Sequence, residues 1–191
     1  LSGAYVMNNQ GDKRLSVVKK LLEVEYKVPE RMRFLPKVMY HFDKGQVEAA
    51  LKATEMHVEL YPTDVNGHMV LIEFHSMDSD YVKVIKQFEK ILNIYDNNVS
   101  ENPDVAKYLL TIGDVYLNNL SDYNNALRYF NMYLDIFPDD KDVYDKLGEL
   151  YTRWNKKDKA IEMYKTSSAV DLSNINALIK IEYLNEDLGI K

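Results

Sequence analysis

The sequence has no cysteine, seven glycines, five prolines and a single tryptophan among 191 residues. Without cysteine there are no disulfides and no thiolate metal ligands. Cytosol and periplasm both stay open as compartments. So few glycines and prolines are what a mostly helical chain needs. No apolar run approaches the roughly 20 residues that span a bilayer. Basic residues are not in excess either: 24 Lys and Arg face 30 Asp and Glu, for a formal net charge of −6. A nucleic-acid surface needs clustered Lys and Arg, so nucleic acid is not expected as the main partner. The densest basic group, Lys156, Lys157 and Lys159, falls around a turn and reads as a solvated helix start.

Catalytic signatures are missing too. No nucleophile elbow, phosphate-binding loop or paired-histidine zinc motif occurs, and the glycines are too scattered to cradle a phosphate. Asp139-Asp140-Lys141-Asp142 lacks the glycine and the spacing of a calcium loop and reads as a helix cap. Asn98-Val99-Ser100 and Asn119-Leu120-Ser121 match the glycosylation triplet, which arises often by chance. No catalytic residue, cofactor site or metal site is assigned. The four histidines, His41, His57, His68 and His75, are read as core residues standing in for tyrosine. A metal site with Glu73 nearby is the alternative.

What is present is a core and a period. Apolar residues make up 46% and charged residues 28%, a balance that argues against disorder. Tyrosine is frequent, at 15 residues. Ala126 and Ala160 lie 34 residues apart, as do Phe130 and Tyr164. Gly113 and Gly148 lie 35 apart, as do Tyr116 and Tyr151. Upstream, Ala50 and Val84 are 34 apart, and so are Thr54 and Phe88. A period of this length predicts stacked helical hairpins, an architecture that binds other proteins more often than it catalyses.

Four repeats are delimited, at 31–64, 65–98, 106–140 and 141–174, with a final helix over 175–188. Positions are counted so that the small residue of each second helix is position 20. The third repeat carries one extra residue in its turn, near Asn118-Asn119-Leu120-Ser121, which the count skips. Gly at position 8 and Ala at position 20 mark where two helix axes approach. Large residues at positions 4, 7, 11 and 24 fill the space between hairpins. Pro62 and Pro138 stop the second helices. Asn102-Pro103 reads as an N-cap followed by Pro at the first helical position. Pro36 falls mid-helix by this count, where proline costs about 3 kcal/mol. The first helix is therefore expected to be interrupted near Leu35-Pro36, after a turn opened by Pro29-Glu30.

Residues 1–30 do not fit the period. Ala4-Tyr5-Val6-Met7 predicts a strand, Asn8 to Asp12 a turn, and Asp12 the cap of a helix running to about Tyr26. Two readings stay open: a capping element of the array, or the tail of an upstream domain. The chain opens on Leu1 rather than Met, so further sequence upstream is expected.

Leu147-Gly148-Glu149-Leu150-Tyr151, with Ala160 and Tyr164, resembles the tetratricopeptide repeat (TPR) family. Leu109, Ile112, Gly113, Tyr116, Ala126, Phe130 and Pro138 resemble it nearly as well. The resemblance is firm over 106–174 and weaker over 31–98, where His stands for the usual Tyr and Thr54 for the usual aromatic. It implies an all-α fold, a short right-handed solenoid of helical hairpins, here with an atypical N-terminal strand-turn-helix segment. It further implies a concave face lined by the first helix of each hairpin, at positions 2, 5, 9, 12 and 13. Those positions hold Met32, Leu35, Met39, Phe42, Met69, Glu73 and Met77 in the first two repeats, the residues expected to touch a partner. In the third they hold Lys107, Leu110, Asp114 and Leu117, and in the fourth Asp142, Asp145, Glu149, Thr152 and Arg153. The groove is thus expected to be methionine-rich at one end and acidic at the other, the acidic end favouring a basic segment. The carboxylate clamp of chaperone-binding members is rejected, because Lys107 is its only match.

The expected function is a non-enzymatic scaffold that binds a protein or peptide on the concave face, or an upstream domain in cis. The alternative is the C-terminal TPR region of a larger bacterial enzyme, for example a hydrolase. Self-association through the last helix, with Ile179, Ile181 and Leu184 exposed, is a third reading.

Overall fold

The computed structural model describes residues 10–95 and 101–189. Its helices are α1 (Gln10–Glu23), α2 (Phe34–Asp43), α3 (Val47–Leu60), α4 (Val65–Met77) and α5 (Tyr81–Ile94) in the first half. The second half holds α6 (Pro103–Asn118), α7 (Tyr123–Leu134), α8 (Lys141–Arg153), α9 (Lys157–Val170) and α10 (Ile175–Leu188). Among the described residues there is no strand. The chain divides into two compact units, 1–94 and 95–191. In the first unit α2 packs on α3 and α4 on α5, with α1 against α2. In the second, α6 packs on α7, α8 on α9, and α10 on α9.

Each hairpin turns the same way. One residue per turn takes the left-handed conformation: Gly45 (φ 72°), Ser79 (56°), Ser121 (52°) and Asn155 (57°). The next residue's N–H reaches back to a carbonyl at position 11, closing the helix end. These bonds run from Gln46 to His41 at 2.9 Å, Asp80 to His75 at 2.8 Å, Asp122 to Tyr116 at 2.9 Å and Lys156 to Tyr151 at 2.8 Å. The third spans one residue more, which is the insertion expected there.

The small residues sit at close crossings. A Cβ on Gly113 would collide with the Phe130 ring, and one on Gly148 with the Tyr164 ring. Ala50, Ala126 and Ala160 are fully buried. In the first unit Val38, Ala50 and Phe74 form a core lined by Phe34, Leu51, Ala53 and Val70. There position 8 is Val38 and position 24 is Thr54, so bulk moves from one helix to the other. The Thr54 hydroxyl, fully buried, donates to the Ala50 carbonyl at 3.0 Å.

The N-terminal segment departs from expectation where it is described. The strand expected over Ala4–Met7 lies outside the described residues. Gln10, Gly11 and Asp12 are helical, so Asp12 is no cap, and α1 ends at Glu23 instead of near Tyr26. A short 3-10 turn follows at Glu25–Lys27. Pro29 does precede a turn, at Glu30–Met32. Pro36, however, does not interrupt a helix. It is the third residue of α2, where a backbone N–H would have no partner inside the helix. Asn102 caps α6 as expected, accepting from the Val105 N–H, and Pro103 opens the helix.

Candidate functional site

A side chain at position 27 bonds a cap at position 34 in three of the four repeats. In the first, His57 Nε2 lies 2.9 Å from Asp64 Oδ2. In the third, the Tyr133 hydroxyl donates to Asp140 Oδ2 at 2.8 Å. In the fourth, Asn174 Nδ2 donates to Ser167 Oγ at 2.8 Å. Asp64, Asp140 and Asn174 are also the N-caps of α4, α8 and α10. The joint therefore ties the end of one hairpin to the start of the next. In the second repeat this position is apolar Ile91. The sequence reading missed the joint, because residues seven apart across a turn belong to no helical period. The signal was there: a polar residue at 27 with Asp or Asn at 34.

The first joint is buried on both sides. Asp64 is 4% exposed, and Arg31 Nε also donates to it, at 3.1 Å. Burial pushes its carboxyl up, but the bonds from Arg31, His57 and the Asn66 N–H outweigh this and hold it below the usual carboxylate range. Phe34 stacks on the His57 ring with centroids 3.6 Å apart. Gly67 leaves room for that ring: a Cβ there would lie 3.0 Å from His57 Cδ2 and 2.7 Å from Val58 Cγ2. In the second unit, burial and then the bond to Asp140 push the Tyr133 hydroxyl up to about 12.

The expected contact residues lie as follows. Leu35, Met39 and Phe42 share one side of α2, spaced four and three residues apart. Met69, Glu73 and Met77 share one side of α4, spaced four and four apart. Met32 is not on the first helix but in the 3-10 turn before it, with 62% exposure. Leu35, Phe42 and Met77 are exposed, at 44%, 37% and 58%, and Glu73 is exposed too. Met39 and Met69 are half-buried. The two helices meet at Phe42, whose ring is edge-on to Phe74 of α4 at 6.1 Å. With the described N-terminal residues in place, Met32, Leu35, Phe42 and Met77 stay exposed. Helix α1 attaches to α2, burying Val18 and pairing Arg14 with Asp43 (Nε–Oδ2 3.0 Å), one turn beyond Met39.

The second unit differs from expectation. Leu117 is buried and lines no groove. Asp114 is matched by Lys146 at 2.7 Å, Asp142 by Lys141 at 2.8 Å, and Glu149 by Arg153. Asp145 accepts from Asn174 Nδ2 at 3.0 Å. The acidic surface expected there is largely paired already.

The four histidines differ in burial and in partners. His57, His68 and His75 are buried as expected, but His41 is half-exposed, with Nδ1 2.8 Å from Gln46 Oε1. His68 has Gln87 Oε1 at 2.8 Å and the Pro62 carbonyl at 2.9 Å. His68 and His75 line one cavity, but among the described residues no three potential ligands gather to hold a metal. No helix among these residues is long and apolar enough to cross a membrane.

No protein-family model and no curated protein matches the sequence. Solved structures do. One described as "Podosopora anserina putative kinesin light chain nearly identical TPR-like repeats" aligns with a TM-score of 0.64 at 14% identity, over 87% of this chain and 89% of its own. MamA aligns at 0.58 and 19% identity, over 80% and 85%. YrrB, described as "a TPR protein with an unusual peptide-binding site", aligns at 0.58 and 14%, over 92% and 85%. With these likenesses and the hairpin geometry above, the chain has the tetratricopeptide-repeat fold.

Proposed function

We propose that this chain is a protein-interaction scaffold, not an enzyme, and that its first unit receives a peptide or a partner domain on the α2/α4 face. One observation carries the reading: exposed Leu35, Phe42 and Met77 flank half-buried Met39 and Met69, and the Phe42–Phe74 contact joins the two helices there. Exposed apolar surface of this kind marks contact sites. Thioethers adapt to the shape of what arrives. The described joints do not use this face, so a partner need not break them. Glu73 has no ion pair among the described residues, and it would set orientation by meeting one basic group. The peptide-binding site named for YrrB fits such a role at the level of fold.

The test is capture from the source-cell extract by wild-type protein and by Met39→Glu/Met69→Glu, with folding checked by circular dichroism. The reading expects proteins retained by wild type and lost from the folded double variant. An identical set on both would reject it.

A second reading concerns α10. Ala177 and Leu184 are buried, but Leu178, Ile179 and Tyr183 are 52%, 61% and 70% exposed. Ile181 is half-buried. Such a face supports self-association. Light scattering across a concentration series would show a rising mass that Ile179→Glu abolishes; a constant monomer mass would reject it.

A further inference from the structure

Helix α4 also has a side turned away from Glu73. At 3.6 residues per turn, His75 lies about 160° around the helix from Glu73. Here α3, α4 and α5 line an open cavity of about 810 Å³. Its apolar floor includes Val58 and Leu71. One wall carries Lys83, Lys86 and Lys90, placed along roughly 10 Å of α5. Asp80 holds Lys83 at 2.8 Å, whereas Lys86 and Lys90 have no ion pair among the described residues. The facing wall carries Glu55 and Glu59 of α3.

His75 supplies an independent sign of a ligand. Its side chain lines the cavity, is 6% exposed, and has no hydrogen-bond partner among the described residues. Burial, then the nearby Lys83 charge, hold its imidazole below the ordinary range, so it is neutral at pH 7 and can both donate and accept. Its neighbour His68 is different, with both ring nitrogens already engaged.

We propose that this cavity binds a peptide segment with an apolar anchor and a row of carboxylates along one edge. Val58 and Leu71 receive the anchor. Lys86 and Lys90 meet the carboxylates. His75 bonds a backbone amide. The opposite charges of the two walls choose the ligand. A polynucleotide or polyphosphate presents charge on every side, and Glu55 and Glu59 repel it. A peptide can turn its neutral or basic edge to that wall. The site is separate from the α2/α4 face and does not depend on it.

The probe is a fluorescein-labelled peptide of alternating leucine and glutamate, titrated by fluorescence polarisation. The proposal expects saturable binding that weakens at least tenfold in Lys86→Glu/Lys90→Glu and falls with added salt. It expects no binding of the same peptide with lysine for glutamate, and no competition by polyphosphate. Amide shifts on binding should centre on Leu71, His75 and α5, and Met69→Glu should leave the affinity unchanged. Both lysines are exposed, and an unchanged melting curve would show that the double variant folds. Undetectable binding, equal binding to the double variant, effective competition by polyphosphate, or shifts centred on Met39 and Met69 would each overturn it.

Discussion

Between consecutive hairpins, the first unit joins His57 to Asp64, whereas the second joins Tyr133 to Asp140 and Ser167 to Asn174. The crossings within hairpins differ as well: Gly113 and Gly148 sit under aromatic rings in the second unit, and Val38 accompanies Thr54 in the first. The charge is also uneven. Residues 1–94 hold 13 basic and 13 acidic residues, and residues 95–191 hold 11 and 17. The second unit thus carries all the net charge, yet Asp114, Asp142 and Glu149 are paired on its surface. The first is neutral overall but, among the described residues, leaves Glu73, Lys86 and Lys90 without an ion pair and Met32, Met56 and Met77 exposed. Net charge is a poor guide to where a partner binds; what matters is which groups the fold has left unmatched.

The largest expected difference between the units is at the joints. Asp64→Ala removes a cap and leaves the buried His57 ring without its acceptor. It should cost roughly 2–4 kcal/mol by denaturant unfolding. Asp140→Ala leaves only a tyrosine hydroxyl and a cap unserved and should cost about 1–2 kcal/mol. Equal losses would erase the contrast. Because the folded value of Asp64 is lowered, its contribution is present above the unfolded carboxylate range and is lost as pH falls through the folded value.

Overpacking comes next. Ala160→Leu should cost about 1–3 kcal/mol in the second unit, since its site is fully buried. An unchanged melting temperature would show the register to be wrong.

Alkali separates the units by a smaller amount. The raised value of Tyr133, about 12, means that its neutral form is favoured by folding. Its contribution is complete below about pH 10, where unfolded tyrosine titrates, and is lost as pH rises toward 12. Stability should fall by an amount on the order of 2 kcal/mol over that window, and Tyr133→Phe should flatten the fall. An equally steep profile in Tyr133→Phe would place the effect elsewhere.

The smallest effect lies in the turns. Only the first turn uses glycine at the left-handed position. Ser79→Gly and Ser121→Gly should each add about 1 kcal/mol by relieving backbone strain. Gly45→Ala should do the reverse. A loss on Ser79→Gly would mean that its hydroxyl matters more than its φ.

Much of the fold was legible because packing repeats at helical spacing. Gly113, Ala126, Gly148 and Ala160 announce crossings, Asn102-Pro103 announces a helix start, and the extra residue near Ser121 shows as a shift in period. In the first repeat the register failed at two places where local chemistry overrode it. Pro36 looked disruptive only because the helix start was placed too early. Met32 was given to α2, although the turn after Pro29 holds it. The candidate surface was legible as a stripe but not as a balance of charges. Whether Asp114 or Glu149 is free depends on Lys146, 32 residues away from the first, and on Arg153 beside the second. The cavity beside His75 was not legible at all, since it needs three helices to line it.

The central claim is that partners meet the first unit on its methionine-lined side. Methionine methyl NMR tests it most directly, because the eight methionines include controls as well as reporters. On addition of the captured partner, the methyl resonances of Met32, Met39, Met69 and Met77 should shift or broaden. Those of Met56 on α3, Met132 on α7 and Met163 on α9 should stay in place. Shifts at Met56 or Met132 with Met39 and Met69 unmoved would contradict the account.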